Sequence, residues 1–213
     1  MKMIKNSLLF ILFLFSFSSF SQENDFQIWN SATLKKKINK KHNIDVKYGL
    51  RFRENASLVS KSFIDLRSKY RLNKKLSLAI GYRNISERSI YSEIEKKNRF
   101  YFDSYHSKTI KRFSFDIRNR FLLQGNNNDF NEVLRQRFRV SYNLRKTKLE
   151  PSVSIEHFSS FTKFINKLRY SLFVSYPIYK KLNFNLGYKI QQEFNIVDPE
   201  TLFIFETKLI YKL

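Results

Sequence analysis

From Ile44 to Arg53 apolar and polar residues alternate without a break. Ile44, Val46, Tyr48, Leu50 and Phe52 fall on one side, and Asp45, Lys47, Gly49, Arg51 and Arg53 on the other. A period of two makes this a β-strand with two chemically opposite faces. The pattern returns in Ile64–Leu72, Phe113–Arg118, Leu134–Leu144 and Leu182–Gln191, and more weakly in Leu76–Asn84, Arg99–Lys108, Leu149–His157 and Asn166–Tyr176. A last alternating strand, Phe203–Leu213, sets Phe203, Phe205, Thr207, Leu209, Tyr211 and Leu213 against Glu206, Lys208 and Lys212.

Short basic turns punctuate the strands roughly every 35 residues. They are Asn39-Lys40-Lys41, Asn73-Lys74-Lys75, Ile110-Lys111-Arg112, Arg145-Lys146-Thr147-Lys148 and Tyr179-Lys180-Lys181. Between them lie longer connections rich in Asn, Ser and Glu: Asn55–Ser60, Ile85–Lys97, Gln124–Glu132, Phe158–Ile165 and Asn195–Thr201. Strand, short turn, strand, long loop is the signature of a transmembrane antiparallel β-barrel. A soluble sandwich shares the alternation, but strands of about 10–12 residues match a tilted bilayer crossing better than the usual soluble 5–6. Tyr48, Tyr70, Tyr82, Tyr142, Tyr176 and Tyr188 sit near the ends of the apolar faces, where an interfacial girdle belongs. The count is ten good strands from Ile44 onward plus a poorer segment, Phe26–Ile38, so ten to twelve strands are expected. Short turns and the C-terminus both belong on the periplasmic side. An eleventh, N-terminal strand would then begin at the outer surface, and three arrangements serve: parallel pairing at the seam, a place inside the lumen with Trp29, or a twelve-strand barrel.

Residues 1–21 read as a secretory signal peptide. Lys2 and Lys5 form the basic start, Leu8–Phe17 is apolar apart from Ser16, and Ser19 and Ser21 flank Phe20 at a cleavage site. Residues 22–213 are expected to form one barrel domain. The chain has no cysteine, which excludes lipid acylation, disulfides and thiolate metal sites. Its net charge of +22 would suggest nucleic acid in a cytosolic protein, but export removes that partner. No cofactor and no metal-ligand spacing is apparent.

With apolar faces outward, the polar faces line the interior. The basic lining is expected from Lys47, Arg51, Arg67, Lys69, Arg118, Arg135, Arg137, Arg139 and Arg169, joined by Arg53, Arg71, Arg83, Arg120, Lys167, Lys189 and Lys208. Fewer acids oppose them: Asp45, Asp65, Asp116, Glu150, Glu156, Glu193 and Glu206. A barrel of this size is little wider than its own side chains. Two readings follow: a lumen plugged by ion pairs, or a narrow path that selects anions through its surplus of basic groups. Oligomeric state leaves no trace in the pattern.

Phe26-Gln27-Ile28-Trp29, Arg51-Phe52-Arg53-Glu54-Asn55, Gly81-Tyr82-Arg83, Asn98-Arg99-Phe100-Tyr101 and Gly187-Tyr188 resemble an exported barrel family of Gram-negative bacteria whose function is unknown. The resemblance covers essentially the whole chain after the signal and implies an outer-membrane location, with no catalytic residue or ligand. The terminal strand, with aromatic Tyr211 third from the end, resembles the signal by which barrel-assembly machinery recognises its clients. Arg88, Lys96, Lys97 and Lys163 in the long loops are candidates to pair with lipopolysaccharide phosphates. One catalytic alternative stands out. His157-Phe158-Ser159 with Asn166 resembles outer-membrane phospholipases and lipid-A deacylases, which implies an esterase with Ser159 as nucleophile, His157 as base and Asn166 as orienter. No glycine-rich oxyanion motif accompanies it, so a non-enzymatic barrel is the main expectation.

Overall fold

The computed structural model describes residues 24–89, 93–126, 129–160, 165–196 and 198–213. The proposed signal peptide, Lys163 and part of four long connections lie outside these. Eleven strands close into one barrel: β1 (Asn24–Lys37), β2 (His42–Arg53), β3 (Leu58–Arg71), β4 (Leu76–Arg88), β5 (Ile94–Ile110), β6 (Phe113–Asn126), β7 (Asp129–Tyr142), β8 (Glu150–Ser159), β9 (Lys167–Tyr179), β10 (Leu182–Glu193) and β11 (Thr201–Lys212). Each strand pairs antiparallel with its sequence neighbour, and β1 closes the barrel by pairing parallel with β11 from Asn24↔Thr201 to Lys35↔Lys212. An odd strand number makes that parallel seam unavoidable, because first and last strands then run the same way. Of the three arrangements open for the N-terminal segment, parallel pairing at the seam is the one that holds: β1 is a strand of the wall and not a segment inside the lumen, and only its Trp29 side chain points inward, against Leu202 and Ile204.

The tight turns and the C-terminus gather at one end. Two of these turns use one device: the Asn39 side-chain oxygen accepts from the Lys41 and His42 amides at 2.8 and 2.9 Å, and Asn73 does the same for Lys75 and Leu76, both at 2.8 Å. An asparagine that bonds the backbone two and three residues on closes a turn without help from the rest of the fold. At the opposite end the connections are shorter than the sequence suggests. The expected loop Ile85–Lys97 is mostly strand, since Ile85 pairs with Lys97 and Arg88 with Ile94. Likewise Gln124–Glu132 is paired from Gln124↔Asn131 to Asn126↔Asp129, and β3 begins at Leu58 inside the expected loop Asn55–Ser60. These strand ends project past the apolar band, where both faces meet polar surroundings and alternation no longer marks them.

The outer wall is apolar. Ile64, Leu66, Ile80, Phe100, Val153, Leu172 and Leu186 all stand exposed on it, Ile80 at 62%. So continuous an apolar surface in contact with water would drive aggregation; against hydrocarbon it is stable. Inside, three strand glycines admit rings. Gly49, Gly81 and Gly187 pair directly with Phe63, Tyr101 and Phe173 of an adjacent strand. A Cβ on any of the three would collide with the facing ring. The aromatic lies flat across the glycine and fixes register from within.

Candidate functional site: an ionic lumen beneath an open vestibule

Strand parity turns the polar residues of every strand inward, and cross-strand pairing brings opposite charges together. Three networks fill the barrel. In the first, Arg120 donates to Asp103 through Nε (2.6 Å) and Nη2 (2.7 Å), and Tyr105 Oη donates to Asp103 at 2.7 Å. Arg67 donates to the Tyr105 oxygen at 3.2 Å and is ion-paired with Asp45. Beside them Asp65 accepts from Arg83 Nε at 2.6 Å and from Tyr101 Oη at 2.8 Å. The second is centred on Glu156, which meets Arg118, Arg135 (2.9 Å) and Arg169 (3.4 Å) from three different strands. In the third, Glu206 lies between Lys189 (2.5 Å) and Lys208 (3.2 Å). Asp116 ties Arg139 at 2.8 Å nearer the tight-turn end.

Two cavities remain. A vestibule of about 970 Å³ opens at the long-loop end, and a chamber of about 370 Å³ lies deeper. Both are lined by Trp29, Arg51, Arg99, Arg135, Phe158 and Arg169, which therefore form the partition between them. The partition is stacked as well as charged. The Arg51 guanidinium lies 3.7 Å over the Trp29 ring, and Arg135 and Arg169 lie 4.4 and 4.7 Å from the Phe158 ring. Cation–π contacts of this kind hold a guanidinium in place without neutralising it.

Of the sequence candidates, Lys47, Arg51, Arg67, Arg118, Arg135, Arg137 and Arg169 line the two cavities, and Lys69 points inward with its ammonium 4.2 Å from the Tyr105 ring. Arg139 sits by Asp116, its side chain 40% exposed. Among the described residues Arg51, Arg99, Lys47 and Arg137 have no carboxylate within ion-pair distance. His157 and Ser159 share the outward face of β8, because their neighbours Glu156 and Phe158 point inward. No hydrogen bond joins His157 to Ser159 or Asn166 among the described residues, and Asn166 instead lines the vestibule. Sequence reasoning missed Asp103, Glu87, Arg99, Tyr101 and the inward rings of Phe63 and Phe158. The Tyr101-x-Asp103-x-Tyr105 spacing held the signal for the first network. Phe100, Phe102 and Tyr101 read as one aromatic run and hid it.

A closed barrel of strands 10 to 17 residues long, apolar outside and ionic within, is an outer-membrane-type β-barrel. The chain belongs to the family described as Protein of unknown function (DUF2490), which it matches over residues 26–200. Among solved structures it is similar to the crystal structure of the β-domain of the Bordetella autotransporter BrkA, with a TM-score of 0.46 and 10% identity, covering 78% of this chain and 82% of that one. No curated protein matches it.

Proposed function

We propose that the protein is a non-enzymatic barrel of the Gram-negative outer membrane whose lumen is plugged by its own side chains. The observation that carries this reading is the Glu156 centre. One carboxylate on β8 gathers inward-pointing guanidiniums from the nearby strands β6, β7 and β9, beneath a partition of stacked arginines. An open pore would leave such groups solvated; here they are tied to one another over four consecutive strands and buried. The apolar band supports membrane insertion, and the terminal strand β11, hooked to β1 by Leu213 N donating to Lys35 O at 2.9 Å, is the element offered to assembly machinery. Rim cations such as Arg88 and Lys96 suit outer-leaflet lipopolysaccharide phosphates.

Two measurements test the reading together. Unboiled and boiled samples should migrate differently on a detergent gel, and planar bilayers holding the refolded protein should stay nearly silent. Identical mobility with recovery in the soluble fraction would remove the membrane barrel. A steady, large conductance would remove the plug while leaving the barrel. The unpaired Arg51, Arg99, Lys47 and Arg137 support one refinement: any residual current should prefer anions, since a surplus of fixed cations raises the local anion concentration.

A further inference from the structure

Basic charge is poorly compensated on the vestibule floor. At the rim, three cations have carboxylates: Lys61 Nζ lies 2.5 Å from Glu87, Lys167 is paired with Glu193, and Arg53 Nε lies 3.3 Å from Glu54. On the floor, the guanidinium of Arg51 meets, among the described residues, the Trp29 and Phe63 rings, at 3.7 and 5.6 Å. Arg99 has, among the described residues, the Gln124 amide oxygen, which accepts from its Nε at 2.7 Å. Arg135 and Arg169 divide Glu156 between them and with Arg118. These four guanidiniums thus face an open cavity of about 970 Å³ with Glu156 behind them, while the carboxylates lining the same cavity, Asp25, Glu54, Glu87, Glu193 and Glu200, lie toward its long-loop end.

The guanidiniums are also held in position. Gln124 orients Arg99, Gln191 accepts from Arg169 Nε at 3.1 Å, and rings back Arg51, Arg135 and Arg169. A ligand would find its donors already ordered, which lowers the entropy lost on binding. Planar guanidinium forks match oxygens in pairs. A monovalent carboxylate would leave most of this charge uncompensated, whereas a phosphoryl group brings up to two charges and several oxygens on one small tetrahedron.

We propose that the vestibule floor is a binding site for a phosphate-class oxyanion, gripped by Arg51 and Arg99 with Arg135 and Arg169 behind them. The ligand enters from the long-loop end, and the plug beneath stops it. The phosphoryl group can belong to a free solute or to a lipid head group, and the test separates the two.

Trp29 is the sole tryptophan of the chain and lies under Arg51, so its fluorescence reports the site directly. The refolded barrel in neutral detergent is titrated with pyrophosphate, and separately with phosphatidic acid against phosphatidylcholine in the same micelles. Chloride at matched ionic strength is the control. A saturable Trp29 response to pyrophosphate assigns a free oxyanion; a response to phosphatidic acid alone assigns a lipid-borne one. Arg99→Gln should weaken that response about tenfold or more, the effect of losing a charge-assisted fork. Arg51→Lys, which keeps the charge and loses the plane, should weaken it several-fold. Lys40→Gln, at the opposite end of the barrel, should leave it unchanged. Heat-shifted gel mobility confirms that each variant is folded before it is titrated. The proposal falls if neither phosphate source gives a saturable response, if chloride reproduces it, or if both arginine variants bind like the parent.

Discussion

Arg120 holds Asp103 with both arms of its guanidinium fork, at 2.6 and 2.7 Å, and Asp103 has no exposure to solvent. The pair joins neighbouring strands β5 and β6, where Asp103 and Arg120 face each other in register. Taking two charges out of water is costly, and the geometry here returns that cost only while both partners are present. Arg120→Ala should therefore lower stability by about 3–5 kcal/mol, because it strands a buried carboxylate. Asp103→Leu with Arg120→Met should recover most of the loss. Urea unfolding followed by gel mobility measures both. An Arg120→Ala midpoint equal to the parent's would show that the pair carries no weight.

The Gly81–Tyr101 contact makes a second prediction. The Tyr101 ring occupies the space a Cβ at position 81 would need, and its hydroxyl donates to Asp65 at 2.8 Å. Gly81→Ala should push the ring aside, break that hydrogen bond and cost about 1–3 kcal/mol, as overpacking does. Adding Tyr101→Ala should make the second change cheaper than it is alone, since the two residues share one interaction. Additive losses in the thermal midpoint would mean that the ring does not depend on the glycine.

Neither relationship leaves a mark in the alternation of the chain. Alternation in Ile44–Arg53 or Leu134–Leu144 reveals strands because one face meets hydrocarbon and the other does not. It says nothing about which residues pair across strands, so Gly49 opposite Phe63 and Gly81 opposite Tyr101 were out of reach. The basic lining was legible from parity alone. Asp103 was not, because β5 is aromatic on both faces: Phe100 and Phe102 point outward while Tyr101 and Tyr105 point in. Loop lengths were overestimated where β4, β5, β6 and β7 continue past the apolar band as paired but unpatterned strand. The seam stayed open for a different reason. Parallel or antiparallel closure depends on whether the strand count is odd, which no single strand records.

The seam can be tested by cross-linking. Ala32 of β1 and Leu209 of β11 are Cα partners in the parallel register, and the chain has no native cysteine. Ala32→Cys with Leu209→Cys should join on mild oxidation, since adjacent strands lie about 4.8 Å apart, within the reach of a disulfide. The cross-linked protein would be nearly circular and should run anomalously even after boiling. Ala32→Cys with Leu186→Cys, which places one thiol on β10 beyond the seam strand, should not join. Equal cross-linking of both pairs, or of neither, would contradict the parallel closure.

Glu156 gives the last prediction, because the plug and the binding site both depend on it. Among the described residues it is the carboxylate that Arg118, Arg135 and Arg169 share. Glu156→Gln keeps the size of the side chain and removes its charge. Three guanidiniums that were drawn inward would then repel one another across a narrow lumen, with only amides and rings to hold them. The barrel should remain closed at its seam but lose stability, by about 3–5 kcal/mol if the pair behaves as a broken buried ion pair. Its interior should loosen as well, so that anion-selective current appears in a salt gradient where the parent is silent. The extra uncompensated charge should also tighten the Trp29-reported binding of pyrophosphate, the opposite sign to Arg99→Gln. Stability loss without current would make Glu156 a structural tie that does not control the lumen. A cation-selective current would contradict the inward placement of the arginines on which the whole assignment rests.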